Sequence, residues 1–196
     1  MADDILTSVH GRQLGIGQRG QLLVNPFGTG TMAVPRASYV QAAAGTALTN
    51  STTETALGSY TIPANSLSVG SLILVRFQGI ATLTNSTDTL TVKLYIGGIG
   101  GTALISMAAT DVANNDVFQG EYELAVRTLG STGTVVGVGS FKSIPAAEGT
   151  MTIKDDILAS TTLNTTIDQA VTVSGTWSVA SASDSCRLDF MRVLVA

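Results

Sequence analysis

The sequence contains very little of the chemistry that catalytic and zinc-binding sites use. Its 196 residues include one histidine, His10, and one cysteine, Cys186. A structural zinc site needs about four Cys or His ligands, and a serine or cysteine nucleophile needs a base beside it. We therefore predict a non-enzymatic protein with no catalytic residue, no metal site and no cofactor. Cys186 lies in the apolar run CRLDF and is predicted to be a buried, unreactive thiol.

Charged residues are also scarce, at 12% of the sequence with a net charge of -4. The Lys and Arg residues are scattered singly, so no basic patch points to nucleic acid. Apolar runs such as 72–75 and 193–196 are far shorter than the ~20 residues of a membrane helix, and no secretory signal is visible at the start. We predict neither nucleic acid nor a membrane as a partner. Few charges combined with a mean hydropathy of +0.35 favour a subunit of a larger assembly.

One motif suggests a nucleotide site at first sight. Residues 15–20, GIGQRG, match the dinucleotide-binding pattern G-x-G-x-x-G. That pattern works only between a strand and a helix, with an acidic residue about 20 positions later for the ribose. No strand or helix pattern flanks it, and no Asp or Glu occurs between Asp4 and Glu54. The glycines are better explained as part of a flexible arm.

Oxygen ligands are more plentiful than nitrogen or sulfur ligands. Asp111, Asn114, Asn115 and Asp116 fall in one loop, which leaves calcium binding open, although the glycine and glutamate of an EF-hand are missing. Glu121 and Glu123 lie on the polar face of a predicted strand, where solvent exposure is the expected role. The tyrosines and Trp177 form no aromatic platform for a carbohydrate.

From Ser38 onward, short alternating segments are separated by Gly, Asn, Ser and Asp, which is typical of an all-β sandwich. Residues 72–80 and 90–96 alternate on either side of a turn at 85–88 and predict a long antiparallel hairpin. Residues 118–127 and 187–195 are also clear strands, and glycines within 136–139 indicate a bend or a close backbone approach. About eight to ten strands favour a jelly-roll-like antiparallel β-sandwich over residues 38–196.

Residues 1–37 differ from the rest of the chain, since they are rich in glycine and contain one short apolar patch at 22–24. Such a segment cannot bury enough surface to fold alone. We predict an extended N-terminal arm or a small docking hairpin around Arg19 and Gly20 that orders against a partner. The predicted docking contacts are Arg12, Arg19, Leu22, Leu23 and Phe27.

Three phrases of the sequence resemble jelly-roll structural proteins of tailed bacteriophages, most closely capsid decoration, or cement, proteins. They are TETALGSYTIPANSLSVGS from Thr53, LILVRFQGIATLTNSTDTLTVKLYIGG from Leu72, and HGRQLGIGQRGQLLVN from His10. The strand near Tyr60 ends at Pro63, which cannot donate to a β-ladder.

The resemblance implies a homotrimer on the outer capsid surface of a virion, made in the host cytoplasm, with the major capsid protein as its partner. The arm would then reach across neighbouring capsid subunits. The alternative is a tail or fibre domain that binds a receptor on the host surface, with loops such as 109–116 and 181–185 as its distal surface.

Overall fold

A computed structural model describes residues 14–16, 22–24, 37–83, 88–107, 110–112, 114–146 and 150–196. All regular structure in these ranges is β-strand, which confirms the predicted all-β class. Within them, no helix has the length and apolar character that crossing a membrane requires.

The chain divides into two units, Met1–Val34 and Pro35–Ala196. In the first, β1 (Leu14–Ile16) and β2 (Leu22–Val24) pair as antiparallel strands. A nucleotide-binding glycine motif would need a helix where β2 lies. The described part of this unit therefore has the wrong local structure for that motif.

The second unit is built from two antiparallel sheets. The larger sheet has the order β12 (Thr152–Thr162), β11 (Thr134–Ile144), β10 (Asp116–Thr128), β6 (Leu72–Thr82), β14 (Ser185–Val195), β3 (Ala37–Gln41), with β4 (Leu48–Thr49) also on β14. The smaller sheet has the order β5 (Thr55–Ile62), β13 (Gln169–Trp177), β7 (Thr89–Ile96), β8 (Thr102–Ser106), with β9 (Thr110–Asp111) on β7.

The strand pairs are nested in the manner of a jelly roll. Strand β3 pairs with β14, β5 with β13, β6 with β10, and β7 with β8, so early strands pair with late ones. The pairs β14 to β6 and β13 to β7 then join these ribbons into two sheets. This is the topology of a jelly roll, in which one long antiparallel ribbon of strands folds over to make two packed sheets, as predicted. Strands β11 and β12 extend the larger sheet beyond the nested set.

The core lies between the two sheets, where the predicted alternation places the apolar side chains. On β6, Ile73, Val75 and Phe77 are buried, and Leu90 and Val92 of β7 are buried opposite them in the smaller sheet. Full burial of one such side chain contributes roughly 1.5–3 kcal/mol. A sandwich of this size therefore needs no disulfide, and none is present among the described residues.

Cys186 is buried in this core, as predicted. Its side chain is 1% exposed, and burial raises the pKa of the thiol to about 12. The thiolate is the reactive form of cysteine, so this residue is inert at neutral pH.

The predicted hairpin between 72–80 and 90–96 is wrong. Both segments are strands with the predicted alternation, but β6 lies in the larger sheet and β7 in the smaller one. The alternation gives the side that each residue faces, and it is the same whether two strands form a hairpin or lie in different sheets.

Aromatic rings cover glycines on the neighbouring strands of the larger sheet. Phe118 lies opposite Gly79, and Phe77 lies opposite Gly120, so each ring occupies the space that a side chain at the glycine would need. Tyr122 covers Gly139 in the same way, which confirms the predicted close backbone approach at 136–139. The three rings thus fill the space above the glycines on the inner face of the larger sheet.

We predict that Gly79→Ala destabilises the sandwich by about 1–3 kcal/mol, the usual cost of overpacking. The added methyl group would overlap the Phe118 ring and the backbone carbonyl of Arg187, and the backbone cannot move aside. Urea denaturation measures the loss.

Gly175→Ala is the matched control. Its new methyl group would lie 3.1 Å from Leu57 Cδ1 and 3.2 Å from Cys186 Sγ, and the leucine can shift. Equal stability losses at the two positions would contradict the packing described for Gly79.

Candidate interaction face

The outward side of the larger sheet forms a broad face. Strand alternation requires it, because Ile73, Val75 and Phe77 face the core and therefore turn Leu74 and Arg76 outward. The same alternation operates on the neighbouring strands. Side chains from β14, β6, β10, β11 and β12 thus share one surface, called here the outer face.

Cross-strand register aligns five outward residues in a charged row. Arg192 lies opposite Arg76, Arg76 opposite Glu121, Glu121 opposite Ser140, and Ser140 opposite Asp155. Directly opposed side chains are near neighbours, with Cβ atoms about 4.5–5.5 Å apart. Positive charge therefore gathers on β14 and β6, and negative charge on β10 and β12.

A second row two residues along each strand is mainly apolar. Leu194 lies opposite Leu74, Leu74 opposite Glu123, Glu123 opposite Val138, and Val138 opposite Ile157. Val138 is 55% exposed and Ile157 is 78% exposed. Two branched apolar side chains thus stand next to each other in solvent.

The residues of the two rows other than Ile157 line an open depression of about 580 Å³. A smaller one of about 290 Å³ adjoins it and shares Arg76 and Arg192. Lys142, Gln78 and Gln119 line the smaller depression. The outer face thus offers hydrogen-bond donors and acceptors beside exposed apolar groups.

Arg76 and Arg192 lie directly opposite each other on neighbouring strands, and their like charges repel. Like charges directly opposite one another are destabilising. Neither Arg76 nor Arg192 forms a salt bridge with another residue that the structure describes. Their guanidinium groups are therefore available to carboxylates of a partner, which they can bind in a bidentate manner.

Further exposed apolar side chains enlarge this surface. Val40 lies opposite Arg192 and is 54% exposed, and Ile153 lies opposite Lys142 and is 51% exposed. Contiguous exposed apolar groups with polar neighbours are the usual composition of a protein contact surface. The edge strand β12 also carries Lys154 and Asp156, charges that oppose direct edge-to-edge pairing.

The smaller sheet presents a different outer surface, with a polar network around Glu54. Ser174 donates a hydrogen bond to Glu54 Oε1 over 2.7 Å, and Lys93 Nζ lies 3.4 Å from Glu54 Oε2. Lys93 also stands over the Tyr95 ring, 5.8 Å from its centroid. Burial alone would raise the pKa of Glu54, but the Ser174 hydrogen bond and the Lys93 charge lower it below 4.5. Glu54, Ser174 and Lys93 thus supply one another's hydrogen-bond partners and opposite charge.

The predicted docking contacts fall mostly outside the described residues. Arg12, Arg19 and Phe27 lie there, whereas Leu22 and Leu23 belong to β2, with Leu23 opposite Gly15. Their docking role stays a prediction.

The loop 111–116, where the sequence left calcium binding open, is only partly described. Asp116 is 5% exposed and accepts a hydrogen bond of 2.8 Å from the Ala146 amide. Within the described ranges, no three His, Cys, Asp or Glu side chains cluster as metal ligands. Asp116 thus has a structural role in holding the segment after β11.

Glu121 and Glu123 are exposed, as predicted, but their neighbours on the outer face, Arg76 and Leu74, were not predicted. Alternation shows which side of a strand a residue faces. It does not show which residue of another strand lies beside it, and Arg76 is 45 positions away from Glu121 in the sequence. The pairing of Val138 with Ile157 is likewise a relation between two strands, and alternation carries no signal of it.

Comparisons with known proteins give distant similarities only. No protein-family model matches the sequence, and no curated protein matches it. A structure of the infectious bursal disease virus Gx strain is 12% identical, has a TM-score of 0.40, and matches 99% of this chain and 37% of that one. A crystal structure of the infectious bursal disease virus VP2 subviral particle is 15% identical and has a TM-score of 0.39. The match covers 98% of this chain and 38% of that one. This chain thus spans well under half the length of either protein. The function proposed below rests on other observations.

We predict that Glu54→Gln lowers the free energy of unfolding by about 0.5–1 kcal/mol at pH 7, the range for a partly exposed ion pair. Because the pKa of Glu54 is lowered in the folded state, the stability it contributes is present above its unfolded pKa. It is lost as the pH falls through the folded pKa. Urea denaturation at pH 7 and at a pH well below 4.5 should therefore show the difference at neutral pH only.

Glu123→Gln, on the exposed outer face, is the control and should leave stability at pH 7 within experimental error. A difference between Glu54→Gln and the unsubstituted protein that persists at low pH would refute the assigned role of the Glu54 charge.

Proposed function

We propose that this protein is a virion structural protein that binds the outer surface of an assembled phage capsid as a homotrimer and stabilises the shell. The observation that carries the proposal is the outer face, where Val138 and Ile157 are exposed beside a charged row on a rigid sheet. A wide, open surface suits another protein better than a small ligand, which needs an enclosing pocket. The phage-like phrases from Thr53 and Leu72 support the virion as its location.

The mechanism is stabilisation by binding. A protein that binds the assembled shell but not its separated subunits shifts the equilibrium toward the shell. Three linked copies strengthen the effect, since binding of the second and third copies is intramolecular once the first is bound. The jelly roll serves as a rigid support, and the arm of residues 1–37 adds a second contact with the major capsid protein.

The exposed apolar pair supplies the first test. We expect the double variant Val138→Ser and Ile157→Ser to fold normally but to lose about tenfold or more in affinity for shells of the virus that encodes it, because each loss of about 1.4 kcal/mol is a factor of ten. Co-sedimentation with purified shells measures the affinity, and thermal unfolding checks the fold.

Ile167→Ser is the control for this pair, because Ile167 is 54% exposed in the turn before β13, away from the outer face. Sedimentation of the double variant at the unsubstituted level would reject the outer face as the contact surface. If the unsubstituted protein binds isolated tails and not shells, the capsid proposal is wrong and the protein is a tail component that acts in adsorption to the host.

The N-terminal arm supplies the second test. We expect deletion of residues 1–36 to leave a folded domain, because the nested strand pairs begin at Ala37, and to abolish assembly on the shell. Leu22→Ser combined with Leu23→Ser should weaken assembly without changing thermal unfolding. A truncated chain that fails to fold, or one that still joins the shell with unchanged affinity, would contradict the arm's assigned role.

A further inference from the structure

A third row of side chains crosses the outer face next to the charged row. Two residues further along each strand, Phe190 lies opposite Gln78, Gln78 opposite Gln119, and Gln119 opposite Lys142. Residues two positions apart on a strand face the same side, so this row shares the outer face. Two amide side chains therefore stand side by side in the middle of the sheet, with an aromatic ring on one side and a lysine on the other.

Three positively charged side chains surround this pair of glutamines. Arg76 and Arg192 of the charged row and Lys142 of the third row line the same smaller depression as the two amides. Only Glu121 among its lining residues is negative, so three positive charges meet one negative charge. None of the three forms a salt bridge with another residue in the described ranges. The smaller depression is thus a positive spot on a protein whose net charge is -4.

Hydrogen-bond donors dominate the polar groups of the smaller depression. Guanidinium and ammonium groups only donate hydrogen bonds, and each glutamine amide adds two N–H donors. A carboxylate is the complementary ligand, because it is negative, only accepts hydrogen bonds, and can take two parallel N–H bonds from one arginine. Arginine is better suited than lysine to such planar recognition, and two arginines lie here directly opposite each other.

The size of the depression fits one side chain better than a whole ligand. Small-molecule pockets typically have about 300–1,000 Å³, and this depression has about 290 Å³. The adjoining larger depression is lined by apolar side chains, among them Leu74, Leu194 and Val138. A partner that covers both depressions therefore has to present a carboxylate close to apolar groups, which a protein segment does.

Negative side chains nearby restrict the class of anion further. Glu121 lines both depressions, and Glu123 and Asp155 line the larger one. A nucleic acid carries a phosphate charge about every 3.4 Å along each strand, so it would meet these carboxylates as well as the arginines. A single acidic side chain between uncharged residues avoids that repulsion. The charges of the outer face thus favour an acidic protein residue over a polyanion.

We propose that the smaller depression binds one Asp or Glu side chain of the partner protein, held by Arg76, Arg192 and Lys142. The inference rests on the proposed function, because it names the chemistry of the capsid segment that the outer face would bind. A bound carboxylate offsets the repulsion between the opposed arginines, so binding removes a destabilising contact of the free protein. Charge complementarity of this kind also selects one partner against others.

A short peptide tests the site without any virus particle. The probe is acetyl-Val-Glu-Val-amide, and acetyl-Val-Gln-Val-amide differs from it only by the charge. In ¹⁵N NMR spectra of the full-length protein, we expect the Glu peptide to shift the side-chain NH₂ signals of Gln78 and Gln119 until they saturate. The Gln peptide at the same concentration should leave these signals in place. Added salt should weaken the binding of the Glu peptide, because exposed charges are screened.

Arg76→Gln removes one of the proposed carboxylate ligands. We expect it to weaken binding of the Glu peptide about threefold or more, since hydrogen bonds between two charged groups are among the stronger ones. Arg127→Gln is the matched control, because it removes the same charge from β10 at a position that lines neither depression. Glu121→Gln removes the one negative charge of the smaller depression and should strengthen binding. Thermal unfolding checks that all three variants fold.

The same variants link the site to the shell. In co-sedimentation, Arg76→Gln should lower the affinity for shells, and Arg127→Gln should not. The absence of a saturable shift with the Glu peptide, or an equal shift with the Gln peptide, would overturn the carboxylate site even if the protein binds shells. A larger shift with a single-stranded oligonucleotide would also overturn it, in favour of nucleic acid. A Glu-peptide response in a protein that does not bind shells would support the site and reject the proposed function.

Discussion

The rest of the structure depends on the pairing of β14 along both of its edges. This last strand is hydrogen-bonded to β6 on one side and to β3 and β4 on the other, so it joins the two ends of the nested jelly-roll set. Its inner residues, including Leu188 and Val193, are fully buried in the core. Its outward residues Arg192 and Leu194 begin the two rows of the outer face. One strand therefore links core packing to the proposed contact surface.

The arrangement divides the molecule into surfaces with different properties. Around Glu54, the outer side of the smaller sheet satisfies its polar groups internally. The outer side of the larger sheet does not, since Arg76 lies against Arg192 without a described salt bridge and Ile157 is exposed. Natural sheets usually avoid both features unless another molecule covers them. In the proposed function, the outer side of the larger sheet would bind the partner, and the network around Glu54 would stabilise the opposite side of the sandwich.

Sequence patterns predicted the composition of each strand better than the relation between strands. The inner residues of β6, β7 and β10 follow directly from a period of two, and the burial of Cys186 follows from its apolar neighbours. The pairing of β6 and β7 could not be predicted, because a hairpin and a crossover between sheets have the same alternation on each strand. The charged row could not be predicted either, because it joins residues of β14, β6 and β10, which are distant in the sequence.

The most direct test of the proposed function is cryo-electron microscopy of the virus particle that carries this protein. We predict three copies of the jelly roll around local three-fold positions over the whole shell, with the outer face of the larger sheet covered by a neighbouring protein. Density for this domain confined to the tail, or an outer face open to solvent on the shell, would contradict that account.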